Sequence, residues 1–187
     1  LRFSIAANET VDFEQPSATS IVLNRVTGNE KSVIDGVLTS GATSGIKGRV
    51  FLINANGVLF AAGSRVDVGA LVASTLDITN RDFLNNNYIF TADGEKNGSL
   101  VAAGDIFTVD GGFAILVSNN GVTDTGTITA LGGDALLVAA DSLTINSSDS
   151  GLTGYTISGL NGTTTMGGVV NMAATNGNGG LLETAGN

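Results

Sequence analysis

Short runs of β-type residues alternate with clusters of glycine, asparagine, aspartate and serine along the whole chain. The pattern predicts strands over 10–13, 20–26, 49–53, 57–60 and 65–68, and again over 105–109, 113–118, 127–130 and 168–173. Thr127-Ile128-Thr129 shows the alternation that suits a pleated, half-buried surface. Helical patterning is weak, since no stretch keeps an i, i+3, i+4, i+7 stripe beyond about two turns. The longest apolar runs, 113–117 and 135–140, are strand-sized and far below the roughly 18 residues of a membrane helix, so no membrane span is expected.

A self-match refines this. Asp105-Ile106-Phe107-Thr108-Val109-Asp110-Gly111-Gly112 recurs as Gly126-Thr127-Ile128-Thr129-Ala130-Leu131-Gly132-Gly133. Ala114-Ile115-Leu116-Val117-Ser118 matches Ala135-Leu136-Leu137-Val138-Ala139 at the same offset. Strands and glycine corners at a period of about 21 residues describe a solenoid. The leucine-rich consensus is missing, so the expected fold is all-β: a right-handed parallel β-helix, with capping and extra-helical β elements in the N-terminal half. At about 21 residues per coil the chain would make about nine coils, roughly 40 Å of axis. The expected organisation is one domain over 1–187. Residues 1–96 would be its capped and decorated part and 97–187 its repetitive coils. Because Leu1 is not an initiator methionine, the chain reads as a trimmed fragment, incomplete at its N-terminus.

Composition narrows the chemistry. Among 187 residues there are 27 Gly, one Pro and no His, Cys or Trp. Zinc sites of the usual kind, His-paired nucleophiles and disulfides are therefore excluded. Eight Lys+Arg against 17 Asp+Glu give a net charge of −9, which argues against nucleic acid. Every cation lies at or before Lys96, so the remainder, net −7, must be organised by something other than ion pairs.

The glycine pairs 111–112, 132–133, 167–168 and 179–180 match no phosphate-binding pattern and read as corners. The acids Asp105, Asp110, Asp124, Asp134, Asp141, Asp149 and Glu183 follow no calcium repeat and read as solvated surface carboxylates. Asn-x-Ser/Thr sequons begin at Asn8, Asn97, Asn146 and Asn161, about as often as chance provides. No metal, cofactor or catalytic residue is expected.

One stretch carries a family likeness. Val50-Phe51-Leu52-Ile53-Asn54-Ala55-Asn56-Gly57-Val58-Leu59-Phe60 is followed by Gly69-Ala70-Leu71-Val72-Ala73-Ser74-Thr75-Leu76-Asp77-Ile78. This resembles the secretion domain of two-partner-secretion exoproteins, the filamentous haemagglutinin-like adhesins of Gram-negative bacteria. Their hallmark is an Asn-Pro-Asn-Gly turn after a hydrophobic strand, then a Leu-Val-Ala-Ser-Thr-Leu-Asp-Ile-type run. Thr10-Val11-Asp12-Phe13, Val22-Leu23-Asn24-Arg25-Val26 and the terminal Gly179-to-Asn187 coil are similar to the family too. Ala55 stands in place of the usual proline, and no Asn-Pro-Asn-Leu element is present, as in the high-molecular-weight-adhesin branch.

The resemblance implies a non-enzymatic, monomeric recognition domain. It would pass through the periplasm, where a cognate outer-membrane β-barrel transporter with periplasmic receptor domains recognises it. Exported unfolded, it would seed β-helix folding outside, leaving the parent secreted or at the cell surface, with roles in adhesion and virulence. Asn54, Ala55, Asn56 and Gly57 would form the recognition turn, supported by Asn24, Arg25, Ser74, Thr75, Leu76 and Asp77. Two other readings stand beside it. The solenoid face could itself bind glycan or a host protein on the host-cell surface. Less favourably, paired carboxylates could degrade a polysaccharide, as on other β-helices.

Overall fold

The computed structural model describes residues 2–173 and 180–187; Leu1 and residues 174–179, with Gly179 of the terminal glycine pair, lie outside the described residues. In chain order the first elements are β1 (Thr10–Phe13), β2 (Ile21–Arg25), β3 (Ser32–Ile34), β4 (Val37–Ser40), β5 (Arg49–Ile53), β6 (Val58–Phe60), β7 (Arg65–Val68) and β8 (Ala70–Ser74). Helix α1 (Asn80–Leu84) and β9 (Tyr88–Thr91) follow. Then come β10 (Leu100–Ala102), β11 (Asp105–Thr108), β12 (Phe113–Ser118), β13 (Gly121–Asp124), β14 (Thr127–Thr129) and β15 (Asp134–Ser148). The last are β16 (Gly151–Leu160), β17 (Thr163–Met166), β18 (Val169–Asn171) and β19 (Leu182–Ala185).

Successive strands visit three parallel walls in turn. The first wall stacks β1-β4-β7-β11-β14-β18, the second β2-β5-β8-β12-β15-β19, and the third β3-β6-β10-β13-β17, with Ile5 bridging to Ile34 before it. This is the right-handed parallel β-helix that the repeat predicts. Side chains from all three walls stack inside, among them Leu38, Val66 and Ile106, Leu52, Ala73 and Leu116, and Val58, Leu100 and Val122.

The self-match foresaw the stacking of Ala114 on Ala135, but Ile106 stacks on Ile128 rather than on Thr127. The corner after Ile128 is one residue shorter, so the two halves of the repeat differ by that residue. The count of nine coils is corrected: among the described residues the longest walls hold six rungs, about 24 Å at a spacing of about 4.8 Å. The missing coils are spent on two excursions, over 75–99 and over 140–162, both leaving from the second wall.

Those excursions build an outer layer. β9 and β16 pair antiparallel with the far half of β15, Phe90 opposite Leu143 and Ile157 on its other side. The extra-helical β9 lies in the N-terminal half as expected but takes its strand partner β15 from the second half, whereas α1 packs Phe83 on Phe51 and Tyr88 within the first half. Residues 97–187 are thus not coils throughout. This layer covers the outer face of the second wall, sealing a second core of Phe51, Val72, Tyr88, Phe90, Phe113 and Ile115. Aromatic rings pack edge-on there, Phe51 to Tyr88 at 5.4 Å. A wall buried on both faces needs continuous apolar strands rather than alternating ones. That is why β5, β8 and β12 are buried at every position.

Glycine sets the corner before the second wall. A β-carbon at Gly133 would overlap the Gly112 carbonyl oxygen, and one at Gly112 would overlap that of Gly69. Any side chain in this column would force the rungs apart.

Candidate functional site

The hallmark stretch leaves β5 at the corner between the second and third walls. The Gly57 N–H donates to the Asn54 carbonyl at 2.9 Å, closing a turn over 54–57. Gly57 takes φ +116°, a conformation that side chains other than glycine's avoid. Asn54 is fully buried and every polar atom of its amide is used. Its Nδ2 donates to the Glu30 carbonyl at 2.9 Å and to Ser32 Oγ at 3.0 Å, while its Oδ1 accepts the Asn56 N–H at 3.0 Å. Asn56 Nδ2 reaches back to the Gly28 carbonyl of the preceding coil at 2.7 Å. The side chains at 54 and 56 therefore bind one coil to the next.

The other family-motif residues meet at the same end of the second wall. The register places Arg25, Ile53, Ser74 and Val117 on successive rungs. The Asn54 N–H donates to the Ser74 carbonyl, and Ser74 Oγ to that of Leu76 at 2.8 Å, turning the chain out of the wall. Thr75 Oγ1 donates to Asn119 Oδ1 at 3.2 Å, and Leu76 is sunk in the outer core.

Arg25 is not a lone solvated cation. Its Nε donates to Asp77 Oδ1 at 2.7 Å and its Nη1 to Asn80 Oδ1 at 2.6 Å, while Nη2 donates to the Ile78 carbonyl. It ties the first coil to the start of the first excursion. Asn24 shares its register position with Leu52 and therefore the interior side of the second wall's first strand. The structure thus brings together Asn54–Gly57, Ser74–Asp77 and Arg25, and leaves Asn24 apart.

Elsewhere, charge serves the scaffold. Burial opposes the ionised form of Asp67, but Lys47 and Arg65 outweigh it and hold the carboxyl below its usual range. Asp124 corrects the reading of the second-half acids as solvated. It is fully buried on β13, level with Ala102 and Met166, and burial pushes its carboxyl up against one N–H from Gly126. Among the described residues no three acids converge to hold a metal ion.

A residue that the sequence did not single out is Arg49. It is 7% exposed, with Nη2 on the Ser148 and Asp149 carbonyls at 2.6 and 3.1 Å and its guanidinium 5.7 Å from the Phe113 ring. It clamps the tip between β15 and β16 onto the second wall. A lone cation opening an apolar strand was the available signal.

This arrangement has known counterparts. A heme/hemopexin-binding protein of Haemophilus influenzae is 33% identical over 158 residues, 80% of this chain and 16% of that protein. Another Haemophilus influenzae protein of that name is 37% identical over 89 residues, 48% of this chain and 9% of its own length. The chain thus spans under a fifth of these relatives. The crystal structure of the HMW1 secretion domain from Haemophilus influenzae superposes with a TM-score of 0.73 at 32% identity, covering 84% of this chain and 41% of that one. The profile of the TPS secretion domain matches residues 2–184, and the chain belongs to that family.

Proposed function

We propose that this domain is the part of a larger exported protein that a dedicated outer-membrane β-barrel transporter recognises through its periplasmic receptor domains, and that it seeds β-helix folding once outside the cell. The parent would be secreted or held at the cell surface of a Gram-negative bacterium after crossing the periplasm. The observation that carries this reading is the corner at Asn54–Gly57. Asn54 is fully buried and its amide fully bonded, so a partner can reach its side chain only before the coil closes. Recognition of an unfolded chain meets that requirement. The last rung supports the seeding role, because its core-facing side chains Val170, Met172 and Leu182 are only partly buried. An end of that kind can template a further coil.

The test is export of the parent with Asn54→Leu and Asn56→Leu, alone and together, beside its transporter. Retention of the chain in the periplasm is expected. Unchanged secretion of the double variant would remove these residues from the recognition segment.

We assign no haem-binding or enzymatic role to the domain. It has neither His nor Cys, the side chains that most often ligate haem iron, and Asp67 is occupied by Lys47 and Arg65. Titrating the purified domain with hemin should leave the free-hemin spectrum unaltered; a shifted absorption band would overturn this.

A further inference from the structure

The corner at Asn54–Gly57 has a second copy later in the chain. Phe51-Leu52-Ile53-Asn54-Ala55-Asn56-Gly57-Val58 lines up without a gap on Ile115-Leu116-Val117-Ser118-Asn119-Asn120-Gly121-Val122. Three side-chain hydrogen bonds correspond, while the Gly121 N–H donates to Ser118 Oγ at 3.2 Å where the Gly57 N–H donates to the Asn54 carbonyl. Ser118, like Asn54, is fully buried. Its Oγ accepts the Asn120 N–H at 3.1 Å, as Asn54 Oδ1 accepts that of Asn56 at 3.0 Å. Ser118 Oγ also donates to the Gly98 carbonyl of the preceding coil at 2.8 Å, as Asn54 Nδ2 donates to Glu30. Asn120 Nδ2 donates to the Asn97 carbonyl at 3.0 Å, as Asn56 Nδ2 does to Gly28 at 2.7 Å. Each corner joins a buried strand of the second wall to a strand of the third: β5 to β6, and β12 to β13.

The side-chain-to-backbone turn at each corner links a residue to its second neighbour, so it can form in a chain that has not yet coiled. To a partner reading that chain, each copy presents the same object: an apolar strand, a capped turn and a second strand. Resting on the reading that the transporter recognises the segment around Asn54–Gly57, we propose that residues 115–122 are a second recognition segment for the same partner, and that the two are held together. Equivalent positions of the two copies lie 64 residues apart, and an unfolded stretch of that length has a root-mean-square span of about 45 Å. That is a reach over which two receptor domains of one transporter can share one chain. The second contact then becomes intramolecular, and occupancy of the pair exceeds that of either copy alone.

The experiment measures export of the full-length parent, co-expressed with its transporter, for Asn56→Ala, Asn120→Ala, the double variant and Ser40→Ala. Ser40→Ala removes a buried bond from Ser40 Oγ to the Gly48 carbonyl at a different corner, and so controls for lost stability. Thermal melts of the purified domain place the variants on one stability scale. The proposal expects each asparagine variant to export several-fold less, the double variant to fall to background, and Ser40→Ala to export normally at a comparable melting temperature. Normal export of Asn120→Ala with reduced export of Asn56→Ala would overturn the second segment and leave the first standing. Normal export of both would overturn the two together. Equal loss in Ser40→Ala would mean that folding alone sets the yield, and would overturn the proposal.

Discussion

Single residues at the corners do the joining that ion pairs do elsewhere. Ala55 occupies the second position of the Asn54–Gly57 turn. That position requires a φ of about −60° and favours proline. Ala55→Pro should stabilise the domain by about 0.4–1 kcal/mol by restricting the unfolded chain, raising the melting temperature by about 1–4 °C in calorimetry. A lower melting temperature would show that the turn needs a different backbone there.

Asp124 works in the opposite sense. Its folded-state affinity for a proton is raised by burial, and its Oδ2 has no hydrogen-bond partner among the described residues. Between the ordinary carboxylate value and the raised folded one, the folded chain holds a proton that the unfolded chain releases. Its contribution is therefore complete below the ordinary carboxylate range and is lost as pH climbs through the raised folded value. Asp124→Asn should flatten that decline, read as the denaturant midpoint against pH between about 4 and 7.

These residues differ in how far the sequence exposed them. The turn at 54–57 was legible because the stretch resembles the Asn-Pro-Asn-Gly turn of the family, with Asn56-Gly57 keeping the residues that tolerate a positive φ. The burial of Asn54 and Asp124 was not, because it depends on which rung lies above and below. The Arg25–Asp77 contact joins residues far apart in the chain, and no local pattern announces it.

Among elements, the second wall decides the architecture. The strands at 49–53 and 113–118 were legible from their apolar runs. What those runs meant, a wall covered on both faces, was not, since a fully buried strand looks the same whatever covers it. The covering hairpin β15–β16 escaped notice for a related reason: it is rich in Ser, Thr and Gly and only half apolar.

Arg49 fastens that hairpin. Arg49→Leu should cost about 1.5–3 kcal/mol by leaving the Ser148 and Asp149 carbonyls without their donor. Amide exchange over 147–151 should quicken by about tenfold or more while the first wall keeps its protection. Uniform loss of protection across all three walls would instead make the hairpin part of one cooperative unit.

For the whole molecule, charge is a cost that the ladders overcome. The net charge is −9, and the residues after Lys96 include no cation. Self-repulsion should therefore be relieved by screening, and the melting temperature should rise as salt increases from about 10 mM to about 0.2 M. A fall would mean that the Lys47–Asp67–Arg65 and Arg25–Asp77 contacts outweigh the repulsion. At this scale the solenoid was legible from a single self-match, but its length was not. Residues that leave the coil and return look, in sequence, like more coil.

The outer layer also makes the three walls unequal as surfaces for change. On the second wall a substitution facing either way meets a packed core, so its strands have little freedom to drift. The third wall turns an interior residue of each strand outward, at Val33, Leu59, Val101, Thr123 and Thr165, and the first wall turns out the opening residues Arg65, Asp105 and Thr127. Evolution can repaint those two sides without touching the frame. An experimenter can likewise seat a fluorophore or an affinity tag there, at a known height on the rod, and follow export of an otherwise unaltered domain.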